Sequence, residues 1–136
     1  MESRLNAYIR YNGNARQAME FYREVLGGKL EIGTIADFRS PDSPTADKVM
    51  HAQLDTANGY TLMACDVDGQ VEDVPHSPGN NVAVYLGGDG ELRGYFEKLS
   101  AGGTVTMPLE KQLWGDEAGA LVDKFGISWM FNITLG

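Results

Sequence analysis

The chain has 136 residues, 43% of them hydrophobic and 22% charged, with a formal net charge of -8. That length suits one continuous core, or two small halves sharing one. The acidic balance argues against nucleic acid or an anionic membrane as a partner, because both select a basic surface.

Met1-Glu2-Ser3-Arg4-Leu5 lacks the basic start and apolar stretch of a signal peptide, and none is expected. Residues 4–11 alternate, with Leu5, Ala7, Ile9 and Tyr11 on one face and Asn6, Tyr8 and Arg10 on the other. Alternation of this kind predicts a half-buried strand. Asn14 is then expected to cap a helix whose apolar stripe is Ala15, Ala18, Met19, Tyr22, Val25 and Leu26. Gly27-Gly28 ends it. Strands are predicted near 29–37, 47–55 and 60–66, the first two joined by a Pro- and Asp-bearing loop from Ser40 to Asp47. Residues 67–79 carry Pro75, Pro78 and several acids and read as a surface linker.

A strand at 81–86 restarts the pattern. A helix near 89–101 follows, capped by Asp89 and stopped by Gly102-Gly103. Strands at 104–107, 118–123 and 128–134 complete it. No apolar run approaches the roughly 20 residues a spanning helix needs. The single Cys65 has no partner for an internal disulfide and fits a reducing, cytoplasmic setting.

The two halves echo each other. Phe21-Tyr22 before Gly27-Gly28 matches Tyr95-Phe96 before Gly102-Gly103. The hexad Gly59-Tyr60-Thr61-Leu62-Met63-Ala64 matches Gly126-Ile127-Ser128-Trp129-Met130-Phe131, and Asn6-Ala7-Tyr8-Ile9 matches Asn81-Val82-Ala83-Val84. The expected architecture is α+β: two paired βαβββ modules forming a curved mixed sheet with an open cleft. It is one domain over 1–136, with module one at about 1–66 and module two at about 80–136. Each helix covers one sheet face, and the uncovered faces are where a small ligand is expected.

Particular residues also carry a resemblance. Tyr8-Ile9-Arg10-Tyr11-Asn12-Gly13-Asn14-Ala15, Ala18-Met19-Glu20-Phe21-Tyr22, Val49-Met50-His51-Ala52 and Leu62-Met63 up to Asp66 resemble the PhnB-like branch of the glyoxalase/bleomycin-resistance/dioxygenase (vicinal oxygen chelate) superfamily. So do Gly102-Gly103-Thr104-Val105-Thr106-Met107-Pro108-Leu109, Trp114-Gly115-Asp116 and Asp123-Lys124-Phe125-Gly126-Ile127-Ser128-Trp129-Met130. The resemblance implies paired βαβββ modules and, commonly, a homodimer. It implies no particular reaction, because one fold hosts many chemistries. Members of the branch often carry the label of a demethylubiquinone methyltransferase. No Gly-rich nucleotide-cofactor motif is present here, and Gly87-Gly88-Asp89-Gly90 reads as a strand-to-helix turn.

Metal-using relatives place His, Gln or Glu on the first and last strand of each module. The resemblance puts Asn6 (or Ala7), Met63, Asn81 and Met130 at those positions. Thioether sulfur is a poor ligand for hard or borderline metals, so no metal and no cofactor is expected. His51 and His76 are the only histidines, and His76 falls in the linker.

Tyr8, Arg10, His51, Gln53, Met63, Asn81, Tyr85, Trp114 and Met130 are the candidate ligand-binding residues, with Cys65 and Asn132 on the same strand faces. His51 is the candidate catalytic acid or base, since imidazole exchanges protons near neutral pH; its alternative is a hydrogen-bonded strand residue. Tyr8 and Tyr85 either contact ligand or simply pack. Trp114 closes a rim or anchors a dimer, Trp129 falls on the helix side, and Asp66 caps a turn. Arg10 either meets an anionic ligand or pairs with Asp55 or Glu31. Three functions follow: metal-free binding of a small organic molecule; a lyase, isomerase or dioxygenase using His51 or an unforeseen metal; or a structural protein with a vestigial cleft.

Overall fold

The computed structural model describes residues 3, 5–38, 46–66 and 82–135, and the chain divides between His76 and Ser77 into two compact units. Asn81, His76, the linker expected over 67–79 and most of the loop expected over 40–47 lie outside the described residues. No helix among the described residues is long and apolar enough to cross a membrane.

The first unit runs β1 (Ala7–Tyr11), α1 (Ala15–Leu26), β2 (Lys29–Thr34), a short α2 (Ile35–Phe38), β3 (Val49–Asp55) and β4 (Thr61–Asp66). Its sheet has the order β1-β4-β3-β2, with β1 parallel to β4 and the other pairs antiparallel. Because β1 and β2 are opposite edges, the helix joining them crosses one whole sheet face. The expected stripe of α1 is buried, and Ala52, Leu54, Leu62 and Ala64 are buried on β3 and β4. The hydroxyls of Tyr11 and Tyr22 meet at 2.9 Å inside this core. Each thereby satisfies a polar group that burial would otherwise penalise.

Two local expectations are corrected. Asn14 occupies the N-cap position, but its side chain makes no capping bond. Asp66 does that work from the end of β4. Its Oδ1 accepts from the Gly13 and Ala15 N–H groups at 3.1 and 2.9 Å, and its Oδ2 from Val49 N–H at 3.0 Å. The strand predicted to reach 37 stops at Thr34, where the ladder with β3 is irregular between Gly33 and Thr34. Thr34 N–H donates to Asp37 Oδ2 at 2.9 Å, the reach-back of a residue three places into a helix. These hydrogen bonds lower the Asp37 carboxyl below its ordinary value.

The second unit repeats the plan with β5 (Ala83–Gly88), α3 (Leu92–Ser100), β6 (Thr104–Lys111), β7 (Glu117–Val122) and β8 (Ser128–Ile133), in sheet order β5-β8-β7-β6. Again the first and last strands are parallel. Leu92, Phe96 and Leu99 of α3 are buried, as are Leu121, Trp129, Phe131 and Ile133 of the sheet. Trp129 is therefore core, and its Nε1 donates to the buried Asp123 at 2.9 Å. The strand predicted to end at 107 continues to Lys111, because Pro108 falls in an irregular stretch of the β6–β7 ladder. A bulge is where a strand tolerates a residue without an N–H.

Strand register corrects the repeat alignment. Tyr8 lies beside Met63, and Tyr85 lies beside Met130. Since Met63 and Met130 match, Tyr8 matches Tyr85, and Asn6 matches Ala83 rather than Asn81. A slip of two residues preserves which side chains face the core, so alternation cannot detect it.

Candidate functional site

In each unit the sheet face away from the helix carries the candidate residues. In the first unit Tyr8 and Arg10 come from β1, Met63 and Cys65 from β4, and His51 and Gln53 from β3. Arg10 is paired with Cys65 and Tyr8 with Met63; Gln53 faces Met63 from the other side. The side chain of Tyr8 spans β4, and its hydroxyl lies 3.3 Å from His51 Nδ1, with the two rings tilted at 5.8 Å. The tautomer of His51 decides which group donates in that contact. The Cys65 side chain is also close enough to the Tyr8 hydroxyl to influence its ionisation.

Partial burial and the Cys65 sulfur push the Tyr8 phenol up to about 12, against a smaller opposing pull from Arg10. An ordinary tyrosine ionises near 10.0, so the folded state holds this proton longer than the unfolded chain does. The stability this contributes is complete below pH 10.0 and is lost as pH rises toward about 12. Absorbance titration of tyrosinate is expected to lose one residue's amplitude near pH 12 in Tyr8→Phe, while the buried Tyr11 and Tyr22 keep theirs. An unchanged titration in that variant would mean the burial of the phenol is not felt.

Beside His51 the face is hollow. A concavity of about 240 Å³ is lined by Glu31, Ile32, Gly33, His51 and Gln53. Gly33 pairs with His51 and contributes no side chain to fill the gap. Sequence reasoning missed Gly33 and Glu31 as lining. A glycine inside a strand pattern, which often marks a bulge or a close approach, was the available signal. Arg10 does not take the carboxylate partners expected for it. Glu31 pairs with Lys29 at 3.2 Å, and Asp55 accepts from Gln53 and Thr61, both at 2.9 Å.

The second unit brings Tyr85, Met130 and Trp114 to its own open face, 63%, 49% and 62% exposed. Trp114 sits in the β6–β7 hairpin turn, closed by Gln112 N–H to Asp116 O at 2.8 Å. Its Nε1 donates to Asn132 Oδ1 at 3.0 Å, and Asn132 Nδ2 donates to Asp116 Oδ2 at 3.0 Å. Asn132 thereby fixes an exposed indole against β8. The Tyr85 ring lies over Gly87, where an added Cβ would meet its hydroxyl at 2.6 Å.

A model of the family described as 3-demethylubiquinone-9 3-methyltransferase matches residues 3–132. The chain belongs to that family. The chain is also similar to protein PA1353 from Pseudomonas aeruginosa, at 32% identity and a TM-score of 0.84 over 97% of this chain and 98% of that one. It is similar to the PhnB protein from Bacillus cereus, described as a putative 3-demethylubiquinone-9 3-methyltransferase, at 24% identity and a TM-score of 0.74 over 97% and 100% of the two chains. A member of the glyoxalase/bleomycin resistance protein/dioxygenase superfamily from Sphaerobacter thermophilus shares the fold at 16% identity, with a TM-score of 0.64 over 98% of each chain. The two four-stranded mixed sheets are those of that superfamily.

Among the described residues, the positions that the superfamily resemblance assigns to a metal carry donors that hard and borderline divalent ions do not favour. The first-strand neighbours of Met63 and Met130 are Tyr8 and Tyr85, so the register offers phenols and thioethers. Asn6 donates to the Ala7 carbonyl at 3.3 Å, and Asn81 lies outside the described residues. Among the described residues no group of three or more His, Cys, Asp or Glu side chains is placed to hold an ion. Hard and borderline divalent ions prefer imidazole and carboxylate to such donors. The Gly87-Gly88-Asp89-Gly90 stretch is the end of β5 and the turn into α3, with Asp89 Oδ1 accepting from Glu91 N–H at 3.0 Å. Asp89 and Glu91 put negative charge where a phosphate would have to sit.

Proposed function

We propose that the open face of the first unit's sheet binds a small organic molecule without a resident metal. The observation that carries this reading is the Tyr8–His51 contact at 3.3 Å beside a concavity of about 240 Å³. A hydrogen-bonded aromatic pair gives a rigid wall at small entropic cost. The hollow opposite Gly33 gives room for a ligand smaller than a drug-sized one. Met63 adds an adaptable apolar surface. Tyr85, Met130 and Trp114 are a second, separately built set of contacts of the same chemical character.

Thermal-shift screening against small acids, quinones and antibiotics tests the reading. A ligand at about 100 times its dissociation constant stabilises the fold by about 2.7 kcal/mol, which raises the melting temperature of a chain this size by roughly 10 °C. His51→Ala is expected to remove most of that shift. A shift that His51→Ala and Tyr8→Phe both leave intact would place the ligand elsewhere.

An acid–base enzyme is the second reading. The Tyr8 hydroxyl engages Nδ1 of His51, which leaves Nε2 as the nitrogen able to exchange a proton with a substrate. Turnover of a bound ligand that survives His51→Ala would eliminate this role.

A further inference from the structure

The binding reading above leaves the ligand's chemistry open, and the arrangement of charge on the same face narrows it. Arg10 is exposed, and among the described residues no carboxylate pairs with it. It stands across from Cys65 on β4; His51 is on β3, one strand further, and Gly33 faces His51 from β2. Cation, imidazole and hollow thus lie in sequence across four strands. With strands about 4.8 Å apart, the backbones of Arg10 and Gly33 are about 14 Å apart. The Tyr8 ring spans the middle of that track.

The far end carries the opposite charge. Glu31 lines the hollow and, among the described residues, is tied only to the exposed Lys29, at 3.2 Å. A ligand carboxylate placed there would meet like charge, whereas at the Arg10 end it would meet a planar guanidinium that matches carboxylate geometry. The net charge of -8 repels an anion at long range, so its capture must rest on close contacts of this kind.

We propose that the ligand of this face is an elongated aromatic acid, its carboxylate held by Arg10 and its ring body lying over Tyr8 toward the hollow beside Gly33. This rests on the reading that the face binds a small molecule. A rigid acid about 10 Å long reaches from an extended Arg10 side chain to His51 and Gln53.

The probes are 4-phenylbenzoate and 4-phenylbenzamide, which share shape and differ in charge. Titration calorimetry on the whole chain is expected to show the acid binding about tenfold more tightly than the amide. That preference should shrink at high salt and vanish in Arg10→Gln. Arg10→Lys should keep part of it, since the charge remains and the planar fork is lost. Far-UV circular dichroism checks that the variants fold. Equal binding of both probes by the unaltered chain, or an undiminished preference in Arg10→Gln, overturns the anion assignment and leaves the binding reading standing. Binding of neither probe overturns the assignment as well, and the broader screen against neutral ligands then decides the binding reading separately.

Discussion

Replacing Asp66 by alanine is expected to destabilise the first unit by about 3 kcal/mol or more. The residue is 8% exposed, and its two carboxylate oxygens accept three backbone N–H groups, from Gly13, Ala15 and Val49. Hydrogen bonds to a charged acceptor contribute more than neutral ones, and each buried donor left without a partner adds its own desolvation cost. Asp66→Asn is expected to rescue little. Oδ1 serves Gly13 and Ala15 while Oδ2 serves Val49. An amide in either orientation points its NH₂ at a donor. Urea denaturation followed by circular dichroism measures both variants. A midpoint within a few tenths molar of the unaltered chain would show that water replaces the carboxylate at little cost.

Gly28→Ala is the second large effect, expected at about 3 kcal/mol or above. Gly28 has φ +101°, and an added Cβ would be driven into the Asp55 carbonyl and the backbone of Thr56. Neither obstacle is a flexible side-chain end, so the strand itself must shift. Gly27→Ala serves as comparison. Its φ is +76°, but nothing lies within 4 Å of the added atom, so backbone strain of about 1–3 kcal/mol acts alone. Gly103→Ala provides the reverse case, a Cβ against the Val122 carbonyl at a residue without a left-handed φ. Thermal melts that rank Gly28 no lower in stability than Gly27 would refute the close-approach argument.

These two residues also show where reading the chain alone stops. Both Gly pairs are legible as helix stops. That their second members must also admit the backbone at the end of β3 and of β7 is not, because the obstacle is about 27 residues away from Gly28 and about 19 from Gly103. Asp66 is legible as a turn cap, whereas its three donors come from segments 17 to 53 residues distant. Asn14 has the right residue type for its place, yet the buried carboxylate from β4 takes the capping role. The long β6 was hidden by Pro108, which reads as a stop unless the ladder is known to be irregular there.

The chain by itself determined the order of the strands and the two long helices, the helix stripe of α1 and the faces of the strands, because each is written in short-range periodicity that survives any arrangement of the pieces. It also placed Tyr8, Arg10, His51, Gln53 and Met63 on one face. Only the tertiary structure decided that Tyr8 reaches over β4 to His51, that Gly33 leaves a hollow beside them, and that Tyr8 rather than Asn6 is the neighbour of Met63. Those facts depend on the parallel register of β1 with β4. Register couples residues more than fifty positions apart, and a two-residue slip leaves the local pattern unchanged.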